Sequence, residues 1–193
     1  MFARVPVLPV VVPLAAVVLA LLLWRLRDRR LLSAARGAVA VALSVYAAGV
    51  VANTVFPLFL DKPASGAAWD EQVNLTPLVG YEVADAVMNV GVFVPLGILI
   101  ALASPASRWT RVLAAGAAVS LGIELTQYVT ARTLGGGHIA DLNDLAFNVV
   151  GTALGVGALL VVEQVPLLRD LLDQFRWTSG TARPTESVES SRR

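Results

Sequence analysis

The sequence predicts an all-α fold: a polytopic membrane helix bundle of about five transmembrane helices. Three observations carry that expectation. Of 193 residues, 56% are hydrophobic and 15% charged, against about 45–50% and about 25% in soluble domains, and mean hydropathy is +0.71. Five apolar stretches reach the roughly 20 residues that a helix needs to cross a bilayer. Positive charges also fall on alternate connections, as orientation in a membrane requires.

The first span is Val5 to Trp24. Pro6, Pro9 and Pro13 lie in its first half, where a spanning helix tolerates them. A signal peptide would have basic residues before the apolar run. Here Arg25, Arg27, Arg29 and Arg30 follow it, which favours an uncleaved helix. The second span is about Leu31 to Leu60, with Arg36 able to snorkel to the near surface. An acidic loop, Asp61 to Asp85, carries five acids and Lys62. The third span is about Ala86 to Ala103, the fourth Val112 to Thr130 and the fifth Leu145 to Val162. Beyond it, Leu167, Leu168, Leu171, Leu172 and Phe175 repeat at helical spacing opposite Arg169, Asp170, Asp173 and Arg176. This is an amphipathic helix that fits two arrangements, one lying on the inner leaflet and one packed on the bundle. From Thr178 the chain is polar and expected to be disordered. The expected organisation is therefore 1–30, a first span with its arginine cluster; 31–163, a four-helix membrane core; 164–177, an interfacial helix; and 178–193, a disordered cytoplasmic tail.

With the amino terminus outside, the cytoplasmic segments hold Arg25, Arg27, Arg29, Arg30, Arg36, Arg108, Arg111 and every arginine from Arg169 onward, 12 of the 15 basic residues. Arg4, Lys62 and Arg132 remain outside. The bias has the same sign at every connection, so the carboxyl terminus is expected in the cytoplasm. A net charge of +1 gives no electrostatic case for nucleic acid. The absence of cysteine excludes disulfides, thiolate metal sites and a cysteine nucleophile.

In such a chain the informative residues are those that are costly in hydrocarbon. Glu124 lies six residues from the outer end of the fourth span, about 9 Å deep at roughly 1.5 Å per residue. Gln127 and Tyr128 follow on the same face. Asn89 enters at similar depth from the third span, and Asp141, Asp144 and Asn148 share one face of the fifth, with Asn143 expected as its N-cap. Arg132 and His138 flank the mouth, and Asn53 and Asn74 are further polar candidates. Asn89, Gln127 and Asn148 could each serve only as a helix-to-helix hydrogen bond. Their shared depth with Glu124, Arg132, Asp141 and Asp144 favours a ligand-binding pocket. Gly151 and Gly155 form a G-x-x-x-G spacing that suits close helix packing. Glu124, Asp141 and Asp144 are also the candidates for general acid–base work. No HExxH, G-x-S-x-G or phosphate-loop pattern is present, and His138 with these acids matches no established metal spacing. No metal and no cofactor is assigned.

Several short motifs occur in a fixed order: Asn74-Leu-Thr-Pro77; Asn89 through Phe93 and Pro95 to Gly97; Glu124-Leu-Thr-Gln127; Arg132; and Asp141-Leu-Asn-Asp144 through Asn148 to Gly151 and Gly155. In this order they resemble the VanZ-like family, named for a protein linked to low-level teicoplanin resistance. The resemblance spans about Asn53 to Leu160, and the Gly135 to His138 stretch is looser than the family's compact arginine-to-aspartate spacer. It implies a protein of the bacterial plasma membrane acting in an envelope or antibiotic response. The expected partners are the lipid bilayer and an amphiphilic or lipid-linked ligand. Intramembrane catalysis on a lipid substrate is the alternative, and transport ranks below both because no inverted repeat is evident.

Overall fold

The structure, a computed structural model, describes residues 3–61, 73–104, 109–133 and 139–178. Among these, five helices are long and apolar enough to span a membrane: α1 (Leu8–Asp28), α2 (Ala34–Thr54), α3 (Val83–Ala103), α4 (Trp109–Thr133) and α5 (Leu142–Val162). Two short strands, β1 (Val73–Asn74) and β2 (Ala140–Asp141), and a sixth helix, α6 (Pro166–Phe175), complete the described chain. The protein is a multi-pass membrane helix bundle. Most helices begin or end about a turn beyond the apolar stretches, because their polar first and last turns continue the backbone ladder past the hydropathy edge. The second span is the exception and stops at Thr54.

Helix α1 places Pro9 in its first turn, where a missing N–H costs little, and accommodates Pro13 inside. Arg25 and Arg27 occupy its last turn, at the negative end of the helix dipole. The chain reverses through Arg30, in the left-handed region at φ 56°. Ser33 then caps α2 by accepting from the Arg36 amide.

At this arginine-bearing end Leu26, Leu31, Val39, Ala40, Leu102, Leu159 and Trp177 form the buried apolar cluster. The amphipathic segment forms α6. Leu172 and Phe175 pack on the cluster, while Leu167 and Leu171 stay exposed. Trp177 donates its backbone N–H to Leu102 O at 2.9 Å. Arg36 does more than snorkel. Its guanidinium donates to Leu31 O, Arg176 O and Thr178 O, tying the α1–α2 turn to the end of α6. Arg176 also pairs with Glu163. Of the disordered tail expected from Thr178, residues 179–193 lie outside the described residues.

The most extensive helix pair is α3 with α5. A Cβ added at Gly151 or Gly155 would collide with the α3 carbonyls of Val90 and Val94. Gly97 likewise approaches the Thr152 backbone, and Gly116 of α4 meets the Thr152 side chain. The G-x-x-x-G spacing is thus the face on which α3 and α5 come into near backbone contact. This core fixes the relative positions of the α3 start, the α4 end and the α5 start. All three lie opposite the arginine-bearing end.

Candidate functional site

The polar end is built from the first turn of α5 outward. Strand β1 pairs in parallel with β2, placing Val73 opposite Ala140 and Asn74 opposite Asp141. The pairing fixes the α5 start, where Asp141 is the N-cap and Asn143 lies inside the helix. This corrects the expectation that Asn143 caps it. Asp141 Oδ1 accepts from the Asn143 backbone N–H at 2.7 Å and its Nδ2 at 2.8 Å, and Oδ2 accepts from Asn74 Nδ2 at 2.9 Å. Asn143 instead accepts from the Leu78 N–H at 2.9 Å, anchoring a loop in which Leu78 and Gly80 both have positive φ.

Glu124 reaches this cap from α4. Its Oε2 accepts the Asp141 backbone N–H at 2.7 Å, and the residue is 7% exposed. Asp144, one turn into α5, accepts at a single oxygen from Tyr81 Oη at 2.6 Å and from Asn89 Nδ2 at 2.7 Å. Asn89 also donates to the Tyr81 hydroxyl at 2.8 Å, closing a three-residue ring. The Tyr81 ring stacks on Phe147, with centroids 5.3 Å apart. Tyr81 lies outside the spans, and burial followed by its bond to Asp144 pushes its phenol well above the ordinary tyrosine range. It therefore stays a proton donor.

One turn deeper, Asn148 donates to Ser120 Oγ at 2.9 Å, linking α5 to α4. Its Oδ1 and Gln127 Oε1 are buried with no hydrogen-bond partner among the described residues. Arg132 lies over the Tyr128 ring, 5.9 Å from its centroid, and its Nη1 is likewise buried and unpartnered among the described residues. Asn53 does not join the group, because its Nδ2 is spent on Gly49 O in its own helix. His138 lies outside the described residues.

Beside this network is a cavity of about 310 Å³ on the side of α4 and α5. Leu121, Leu125, Tyr128, Leu142 and Leu145 line it together with the acids Glu124 and Asp141. A family model described as VanZ/LLP1 matches residues 15–163. The chain belongs to the VanZ-like family. The match runs from within α1 to the end of α5 and leaves α6 outside. Comparison with curated proteins gives no match, and neither does comparison with solved structures.

In this VanZ-like protein Asn89, Glu124, Asp141 and Asp144 come together as two hydrogen-bond groups joined through the first turn of α5. Asn148 sits at the inner edge, Gln127 lies about a turn outward of Glu124 on α4, and Arg132 stands on the Tyr128 ring. Sequence reasoning missed Tyr81 and Ser120 as partners. A tyrosine near the end of a span is common and carries no signal of a shared network. A second cavity, of about 430 Å³, separates the α1–α2 hairpin from α3 and α4 and includes Tyr46 among otherwise mostly apolar walls. Among the described residues the Tyr46 hydroxyl has no partner.

Proposed function

We propose that this VanZ-like protein binds an amphiphile at its polar end and acts in the cell envelope of a bacterium. By this binding it contributes to a glycopeptide (teicoplanin-type) antibiotic response or an envelope-stress response. The observation that supports the reading most is the apolar cavity of about 310 Å³ adjoining the polar network in which Glu124 accepts from the Asp141 backbone. An amphiphile needs both a polar fixture and an apolar trough, and small-molecule sites combine the two in this way. The arginine distribution supports an orientation with this site outward, the amino terminus outside and α6 at the cytoplasmic face.

The test is genetic. A deletion strain of the source organism is profiled against glycopeptides, lipopeptides and detergents, and then complemented. The native gene restores the profile, and a Glu124→Ala copy expressed at equal level does not. Full restoration by Glu124→Ala removes the proposed site.

The alternative is an intramembrane enzyme acting on a lipid-linked substrate. What favours it is the proximity of Glu124 to Asp141, with Asp144 one turn further along α5, a set from which a general acid and base could be drawn. Saturable turnover of a lipid-linked substrate by purified protein, lost in Glu124→Gln, separates this reading from binding alone.

A further inference from the structure

The larger cavity, of about 430 Å³, is shaped by how the α1–α2 hairpin meets α3 and α4. Toward the arginine-bearing end the space is closed. Leu22 and Leu43 line it and also pack on the apolar cluster that contains Leu26, Leu102 and Trp177. Among the described residues, the side-chain hydrogen bonds that tie the hairpin to the rest of the chain are those of Arg36 to Arg176 O and Thr178 O, at that same end. In the other direction the lining continues to Thr54 and Val55, where α2 ends, and to Thr126 of α4. Leu43 and Thr54 lie eleven residues apart on α2, about 16 Å at roughly 1.5 Å per residue. Half of a hydrocarbon core of about 30 Å has nearly the same depth. The cavity is a slot one leaflet deep and blind at its arginine-bearing end.

The walls suit hydrocarbon. Leu22, Leu43, Val50, Leu96, Ile100 and Ile123 contribute to them, and no charged side chain does among the described residues. Thr54 and Thr126 line the slot but donate their hydroxyls within their own helices, to Val50 O and Gly122 O. Tyr46 lines it with its hydroxyl oxygen buried. Gly122 marks open space: a Cβ added there meets nothing within 4 Å, whereas one at Gly116 of the same helix runs into the Thr152 side chain. A void of this size leaves its lining without van der Waals partners. An apolar cavity of about 150 Å³ takes a benzene, or about 25 Å³ per carbon. At that density the slot has room for about 17 carbons.

We propose that the slot is a lipid site holding one acyl chain of a resident glycerophospholipid from the leaflet at the polar end. The chain runs between α2 and α4 with its terminal methyl against Leu22 and Leu43, and the head stays at the membrane surface beyond Thr54. Recognition is by the length of the chain, because the lining carries no side chain that reads the charge of a head. This site is separate from the amphiphile site proposed above, and neither reading depends on the other.

The test uses the full chain, delipidated in glyco-diosgenin micelles, whose rigid steroid body leaves an alkyl slot free. Binding is read by native mass spectrometry with palmitoyl-oleoyl phosphatidylcholine, palmitoyl-oleoyl phosphatidylglycerol and dihexanoyl phosphatidylcholine. The expected result is a saturable site that takes both long-chain lipids with equal affinity and the short-chain lipid at least tenfold more weakly. Gly122→Leu fills the slot and should weaken the long-chain lipids at least tenfold. Gly157→Leu, at a glycine equally free of neighbours but outside the lining, should leave them unchanged. Ala47→Phe narrows the slot from α2 and takes the place of Gly122→Leu should that variant lose its helical circular dichroism. Long-chain binding unchanged in the folded slot variant, equal loss in Gly157→Leu, equal affinity for the short-chain lipid, or a tenfold preference for one head overturns the proposal. So does the absence of any saturable site.

Discussion

Asp144 shows how much one side chain organises at the polar end. A single carboxylate oxygen accepts from Tyr81 and from Asn89, so it joins the loop before α3, α3 itself and α5. Asp144→Asn keeps an acceptor oxygen at this position, whereas Asp144→Leu leaves the Tyr81 hydroxyl and the Asn89 amide without it. Each buried group left unpaired costs about 1–3 kcal/mol. Asp144→Leu should therefore unfold well before Asp144→Asn in a thermal melt followed by circular dichroism in micelles, and coincident melts would show that the network is not formed. At this scale the sequence was informative where a residue was out of place. Asn89, Glu124, Asp144 and Asn148 are conspicuous because hydrocarbon penalises them. Tyr81 and Ser120 were not, since a boundary tyrosine and a helical serine are both common in spans without any shared network. Asn143 looked like the cap because asparagine caps well. Asp141 takes the role instead because β1 and Glu124 hold its backbone just ahead of the helix.

Among the elements, the spans were legible in number and order because length and apolarity alone determine them. Their packing was legible only where glycine marked it. Gly155 has no room for a Cβ against Val94 O, while Gly157, two residues on, has nothing within 4 Å. Forcing a methyl into a tight backbone contact costs about 1–3 kcal/mol. Gly155→Ala should destabilise the protein by that amount in reversible unfolding from mixed micelles, and Gly157→Ala should leave it unchanged. Equal effects at both positions would contradict the α3–α5 contact. The β1–β2 pairing could not be read from the sequence. Two residues on each side carry no periodicity, and their partners lie 67 positions apart. The amphipathic pattern of α6 identified a two-faced helix without saying which surface takes its apolar face. The answer is divided: Trp177, Leu172 and Phe175 close the arginine-bearing end, and Leu167 and Leu171 remain outside.

For the whole molecule, the two ends differ in chemistry. One is sealed by an apolar cluster and the three hydrogen bonds of Arg36. The other gathers polar side chains beside a cavity with apolar walls. Under the proposed function, the polar end is where the ligand is met. The most direct measurement uses spheroplasts given a lysophosphatidylethanolamine with a photoreactive chain, added from outside so that it loads the outer leaflet. After brief illumination the protein is purified and its adducts are mapped by peptide mass spectrometry. Adducts concentrated on Leu121, Leu125, Leu142 and Leu145, and lost in Glu124→Gln, are the predicted result. Adducts spread evenly around the bundle, or confined to the end that carries the arginines, would contradict both the site and its outward orientation.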